Sequence, residues 1–237
     1  MIAEQPTNPA FAGSFSKRII PRVVIGLGIW GGLLFGAAGT FDWPRAWGQL
    51  ALWLLTAVVN FSVLLRVNPA VVAARLKGQR SSARFERVMI PFFLVGGVAI
   101  PVTAGLDAVR FGWSSPLSWS LWPGLLLHAG GDALMVWAMA VNPFLEKTVR
   151  IQAERHHEVI TTGPYALVRH PMYIGMIILM AGMPLVLGSW WTFVPVVALT
   201  LAVIIRLLFE EAMLRRDLPG YEEYTHRTRY RLLPHIW

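Results

Sequence analysis

The chain has 237 residues, of which 55% are hydrophobic and 14% charged, with 11 Trp and 12 Phe. A soluble domain carries roughly 25% charged residues, so this composition reads as a polytopic membrane protein. The absence of cysteine excludes disulfides, thiolate metal sites and a cysteine nucleophile, and the formal charge of +8 lies in Lys/Arg clusters between apolar runs, where it sets topology and meets anionic headgroups without any need for nucleic acid.

Residues 1–18 are polar and read as a cytosolic arm ending in Lys17-Arg18. Ala37-Ala38-Gly39 resembles a signal-peptidase site, but the apolar run before it has the length of a membrane span, so it is read as a retained first span, about Ile19 to Ala38. Gly28 and Gly32, four apart, suit either close helix packing or simple crowding by small residues. A second span follows, about Ala46 to Leu65. The loop after it is the most basic: Arg66, Arg75, Lys77, Arg80, Arg84 and Arg87, opposed by Glu86. Asn68-Pro69 opens either an amphipathic helix, with Val71, Val72 and Leu76 in the headgroup layer, or a solvated loop.

The third span, about Val88 to Leu106, holds Pro101 in its interior, where a kink is expected. A short neutral link, 107–116, leads to the fourth span, about Leu117 to Val141. His128 and Asp132 lie four apart there, on one face, and a mutual hydrogen bond or snorkelling is the plain expectation. Residues 142–157 are polar. An apolar hairpin then runs from about Pro171 to Leu187, through Gly188-Ser189, and from about Thr192 to Leu214. So short a turn requires the two helices to lie antiparallel and in contact. The fold expected is all-α, a polytopic membrane bundle of about six transmembrane helices, the last two a tight hairpin. The basic links place both termini in the cytosol.

The stretch 161–175 is the centre of the chain. Gly163-Pro164 is a tight turn. Pro171 opens a helix, because its fixed φ suits a first turn whose N–H would be unbonded anyway. Arg169 and His170 are thereby held at a helix start, where free N–H groups and the helix dipole favour an anion. A membrane helix with a basic flank accounts for the same residues. The hairpin brings Glu210 and Glu211 to the level of Arg169 and His170. Two carboxylates at a helix C-terminus need compensation: salt bridges to Arg206, Arg215 or Arg169, or hydroxyls and an ammonium of a ligand. The six histidines fit no zinc motif, and only His128 lies within a span, so neither a metal nor haem is expected.

One ordered pattern runs through the second half: His157-x-Val159-Ile160-Thr161-x-Gly163-x-Tyr165, Arg169-His170-Pro171-x-Tyr173-x-Gly175, an apolar hairpin, Glu210-Glu211-x-x-Leu214, Gly220-Tyr221-x-x-Tyr224 and Arg231-Leu232-x-Pro234. It resembles the integral-membrane methyltransferases that include isoprenylcysteine carboxyl methyltransferases and phospholipid N-methyltransferases. The resemblance covers roughly residues 142–237; the first four spans match only in kind. It implies S-adenosyl-L-methionine as cofactor, held at the cytosolic ends of the last helices, with His157, the Val159 backbone, Tyr165, His170 and Tyr173 lining its pocket and Glu210 or Glu211 meeting its ribose hydroxyls or amino group. The acceptor is then a membrane lipid or a lipidated or apolar molecule: a prenylated cysteine carboxylate, a phosphatidylethanolamine amine, or a small thiol. Arg169 either orients an anionic group of that acceptor or anchors to lipid phosphate or to the Glu210-Glu211 pair.

The domain reading is then an arm over 1–18, four spans over 19–141 that shape the acceptor side, and a methyltransferase core over 142–237. A reductase of sterols or lipids that uses NADPH is the alternative enzyme class, with Arg155 and His156 available for a 2′-phosphate. A scaffold or transporter is the non-catalytic alternative, and would call for repeats or paired broken helices. Oligomeric state and the identity of the acceptor leave no mark in the sequence.

Overall fold

The structure is a computed structural model describing residues 9–77, 84–115, 118–146 and 148–237. Among these residues there is no strand, and the helices are α1 (Pro9–Ala38), α2 (Pro44–Val67), α3 (Pro69–Lys77), α4 (Arg84–Gly105), α5 (Leu121–Val141), α6 (Pro171–Leu187), α7 (Phe193–Asp217) and α8 (Tyr221–Arg227). α2, α3 and α6 each open on a proline, the residue whose missing N–H costs least at a first turn.

Five helices are long and apolar enough to cross a membrane: Lys17–Ala38, Pro44–Val67, Phe85–Arg110, Ser118–Val141 and Phe193–Asp217. The sixth, α6, has 17 residues, about 25 Å at ~1.5 Å per residue and near the lower limit for a span. It is short because the polar loop ending at His170 and the turn at Gly188 bracket it on both sides. Ile25, Leu55, Val95 and Val197 are exposed on these helices, as lipid-facing side chains should be. The chain is an integral-membrane protein.

α4 lies between α1 and α7, and α6 packs against α5, α7 and α2. The α5–α6 contact is the most intimate, because glycines let the two backbones touch. A Cβ on Gly175 would sit 2.5 Å from the Gly131 carbonyl oxygen, and one on Gly182 would sit 2.6 Å from that of Gly124. Gly28 and Gly32, by contrast, have no atom near the place of a Cβ and face open space, so of the two readings of that pair simple crowding by small residues fits.

Three further expectations change. Residues 9–18, read as part of a polar arm, are helical and continuous with the first span; residues 1–8 of that arm lie outside the described part. α3 forms as a helix, but Val71 and Val72 are buried against Leu64 and Met139 rather than spread in the headgroup layer. Asn68 holds α3 there by donating to the Met139 carbonyl at 2.8 Å. His128 and Asp132 do not bond each other: His128 Nδ1 meets the Gln49 amide at 3.4 Å, and Asp132 accepts from Asn60 at 2.8 Å. α2 supplies amides at the right depth, and each amide takes one ionisable side chain.

The link after α4 is more ordered than its composition suggests. Leu106–Arg110 is a π-helical turn that turns Asp107 into the protein, where it is fully buried. Asp107 Oδ2 accepts from Ser114 Oγ at 2.6 Å, Ser189 Oγ at 2.5 Å and the Trp191 N–H at 3.2 Å. One carboxylate thereby fixes the α6–α7 turn.

Candidate functional site

At the opposite end of that hairpin lies a cleft of about 830 Å³, partly open to solvent. Its walls are the segment 142–160, the 163–171 loop, the start of α6, the last turns of α7 and the face of α8. Each wall is held by a specific contact. Gln152 donates to the Phe144 carbonyl at 2.6 Å, the Phe144 ring stacks on His157 at 4.5 Å, and Arg150 pairs with Glu146 at 2.8 Å. Glu86, buried at the start of α4, accepts from the Val149 N–H at 3.0 Å and from Arg206 of α7 at 2.6 Å, tying the segment 142–160 to the bundle. Arg75 of α3 donates to the Leu145 carbonyl at 3.2 Å. Arg75 and Glu86 thus buttress the wall formed by Leu145 and Val149.

The C-terminal tail closes the other side. The N–H groups of Arg169 and His170 donate to the carbonyls of Tyr230 and Arg231 at 2.9 and 3.0 Å. The Tyr224 hydroxyl donates to the Tyr165 carbonyl at 2.7 Å. The spacing of Tyr221 and Tyr224, three apart on α8, puts both rings on one face, and both line the cleft.

His157, Val159, Tyr165, His170, Tyr173 and Glu210 all line this cleft, as the sequence led one to expect, and Arg169 does too. Glu211 does not. It is buried and accepts from Arg169 at 2.7 Å, from Arg231 at 2.7 Å and from Arg215 at 3.2 Å. Arg169 also donates to the carbonyls of Thr228 and Arg229 at 2.8 and 2.6 Å, which leaves its buried Nε without a partner. Arg155 and His156, the residues available for a 2′-phosphate, lie outside the cleft lining. Sequence reasoning missed Tyr221 and Phe144 as lining residues, although the Tyr221-x-x-Tyr224 spacing was visible.

The cleft offers more polar capacity than the protein itself uses. Among the described residues the buried hydroxyls of Tyr165 and Tyr221 have no hydrogen-bond partner, nor has His170 Nε2, which lies 3.7 Å from Glu211 Oε2. Buried polar atoms are nearly always paired, so such a set around one cleft marks a place for ligand groups. Glu210 takes the Tyr173 hydroxyl on Oε2, and its Oε1 accepts nothing among the described residues. Burial pushes the Tyr165 and Tyr221 phenols up, so both are neutral donors at any ordinary pH. Burial also lowers His157 to about 4, helped by the Arg155 and Arg150 charges, so its ring is neutral. Among the described residues no cluster of His, Asp and Glu could hold a metal.

The fold and this cleft define a helical integral-membrane protein with a partly polar cleft at one end of its bundle. Residues 119–219 match the phospholipid methyltransferase family. The chain is 31% identical over 86 residues to protein-S-isoprenylcysteine O-methyltransferase B of Arabidopsis thaliana, covering 33% of this chain and 41% of that relative. It is 30% identical over 88 residues to the nickel-cobalt-cadmium resistance protein NccN of Alcaligenes xylosoxydans xylosoxydans, covering 33% and 37%. The chain thus matches less than half the length of either relative. The family match and the Arabidopsis relative bear out, for this part of the chain, the resemblance to membrane methyltransferases carried by the motif order.

Proposed function

We propose that this protein is a methyltransferase that uses S-adenosyl-L-methionine and acts on a lipid-like or prenylated acceptor, with the cleft as its cofactor site and both termini in the cytosol. The observation that carries the reading is the set of unpartnered buried polar atoms, Tyr165 Oη, Tyr221 Oη and His170 Nε2, around a cleft that also presents the Glu210 carboxylate. These groups fit the cofactor's chemistry. Glu210 suits ribose hydroxyls or the amino group, the start of α6 suits the methionine carboxylate, and the tyrosine rings and His157 suit adenine and a sulfonium charge. Glu211 belongs to the frame that holds the loop, so of the two carboxylates Glu210 is the one assigned to the cofactor.

When bound, the cofactor supplies an activated methyl group and a good leaving group, so the protein's share is alignment and exclusion of water rather than proton transfer. The segment 142–160 and the tail perform that exclusion from two sides. Arg169 is the cation assigned to an anionic group of the acceptor, through Nε, the donor that its contacts to Glu211 and the tail carbonyls leave without a partner. The acceptor enters from the bilayer beside α6.

Calorimetric titration of the purified protein with S-adenosylmethionine, S-adenosylhomocysteine and NADPH tests the reading. Binding of the first two and not the third is expected. Binding of NADPH alone would mean that the cleft serves a reduction instead, and binding of none would remove the cofactor site.

A further inference from the structure

A second cavity lies within the membrane part of the bundle and shares no lining residue with the cleft. It is an open groove of about 710 Å³ between α1, α2, α5 and Leu179 of α6. Val23, Gly26 and Leu27 of α1, Ala57 of α2 and Leu179 of α6 give it an apolar side. Its floor carries polar groups: Trp53, Thr56 and Asn60 of α2 face His128 and Asp132 of α5, with Arg22 nearer the α1 end. Asp132 is nine residues before the end of α5, about 14 Å down the helix from the cleft at ~1.5 Å per residue.

The charge balance of this groove is incomplete. Asp132 is half-buried and takes one hydrogen bond, from Asn60 at 2.8 Å. It makes no ion pair among the described residues: Arg22 lines the same groove, but its guanidinium donates to the Leu76 carbonyl at 3.3 Å. His128 is spoken for by Gln49 at 3.4 Å. A carboxylate at membrane depth with no cation at ion-pair distance is costly, and such groups mark sites for a cationic or hydrogen-bonding ligand. Trp53 adds an indole face, which also attracts a cation. The aliphatic remainder of the wall suits a hydrocarbon chain.

We infer that this groove is a binding site for a lipophilic amine, an amphiphile whose ammonium group pairs with Asp132 beside Asn60 and Trp53 while its alkyl chain runs along α1 and α6 toward the lipid. An alcohol of the same chain length would fill the apolar wall but supply no charge. A fatty acid would place a second negative charge against Asp132.

The inference is tested with radiolabelled dodecylamine and the full chain in phosphatidylcholine nanodiscs, with empty nanodiscs as background and dodecanol as the neutral control. Saturable binding near one per chain is expected, at least tenfold tighter than dodecanol. Asp132→Asn should weaken it at least tenfold and Trp53→Leu severalfold, while Glu210→Gln, in the separate cleft, should leave it unchanged. A dodecylamine carrying a diazirine gives a readout that needs no variant: on wild-type protein it should label peptides of α2 and α5, and excess dodecylamine but not dodecanol should suppress the labelling. Absence of saturable binding, equal affinity for dodecanol, wild-type affinity in Asp132→Asn, or labelling confined to other helices would each overturn the inference.

Discussion

Glu210 and Glu211 are adjacent in sequence and opposite in role: Glu210 takes the Tyr173 hydroxyl within the cleft, whereas Glu211 is buried among Arg169, Arg215 and Arg231. Successive residues on a helix point about 100° apart, so the paired carboxylates divide between site and frame.

Their substitutions should therefore separate. Glu210→Gln is expected to leave thermal unfolding nearly unchanged and to weaken S-adenosylhomocysteine binding at least tenfold, or ~1.4 kcal/mol. Glu211→Gln removes the countercharge from a buried guanidinium, a change that costs about 3–5 kcal/mol where such a pair is broken. Its signature is a lowered unfolding temperature. Calorimetry and thermal unfolding on both variants check the division, and a stable Glu211→Gln protein would contradict it.

Tyr165→Phe and Tyr221→Phe each remove a hydroxyl that has no hydrogen-bond partner among the described residues. Stability without ligand should hold or rise slightly, because a buried unpaired donor is lost. Ligand affinity should fall by about 1–3 kcal/mol per hydroxyl. Loss of stability with unchanged affinity would show that the hydroxyls serve the fold.

His157 gives the cleft a dependence on acid. Its ring is neutral when folded, held to about 4 by burial and then by Arg155 and Arg150, against an ordinary value of 6.5. Gln152 N–H donates to its Nδ1 at 3.4 Å, which requires that neutral form. On acidification the unfolded segment takes up the proton first, so its contribution is intact above about 6.5 and is lost as the pH falls toward about 4. Amide exchange across residues 148–160 should accelerate over that window in the wild type and much less in His157→Gln.

Gly175→Ala places a methyl 2.5 Å from the Gly131 carbonyl oxygen, with backbone on both sides. It should force α5 and α6 apart and lower the unfolding temperature. Gly28→Ala meets nothing and should be neutral or mildly stabilising, as alanine favours a helix by about 1 kcal/mol over glycine. Equal effects of the two would mean that the α5–α6 approach is not tight.

Much of this was legible in the sequence. Pro171 announced the start of α6, the apolar runs announced the spans, and the order of motifs from His157 to Pro234 announced the cleft. What escaped has physical reasons. Adjacent carboxylates look alike in sequence, and only the helix phase against the Arg169 loop separates Glu210 from Glu211. The burial of Asp107 depends on a π-helical turn, which carries no hydropathy signal. Val71 and Val72 have an amphipathic pattern that fits a headgroup layer and a protein surface equally well, and the Asn68 contact decides between them.

The Asp107 knot sets how the cleft can widen. Ser114, Ser189 and the Trp191 N–H clamp the turn end of the α6–α7 hairpin, while at the cleft end the two helices are joined by Tyr173 donating to Glu210 and, through the preceding loop, by the Arg169–Glu211 pair. The pair is a set of tweezers with a fixed pivot and latched tips. Over a lever of about 25 Å, a swing of only about 5° would carry Tyr173 or Glu210 by about 2 Å. Release of those side-chain contacts is then all that a wider cleft requires of the hairpin, and neither helix has to unfold.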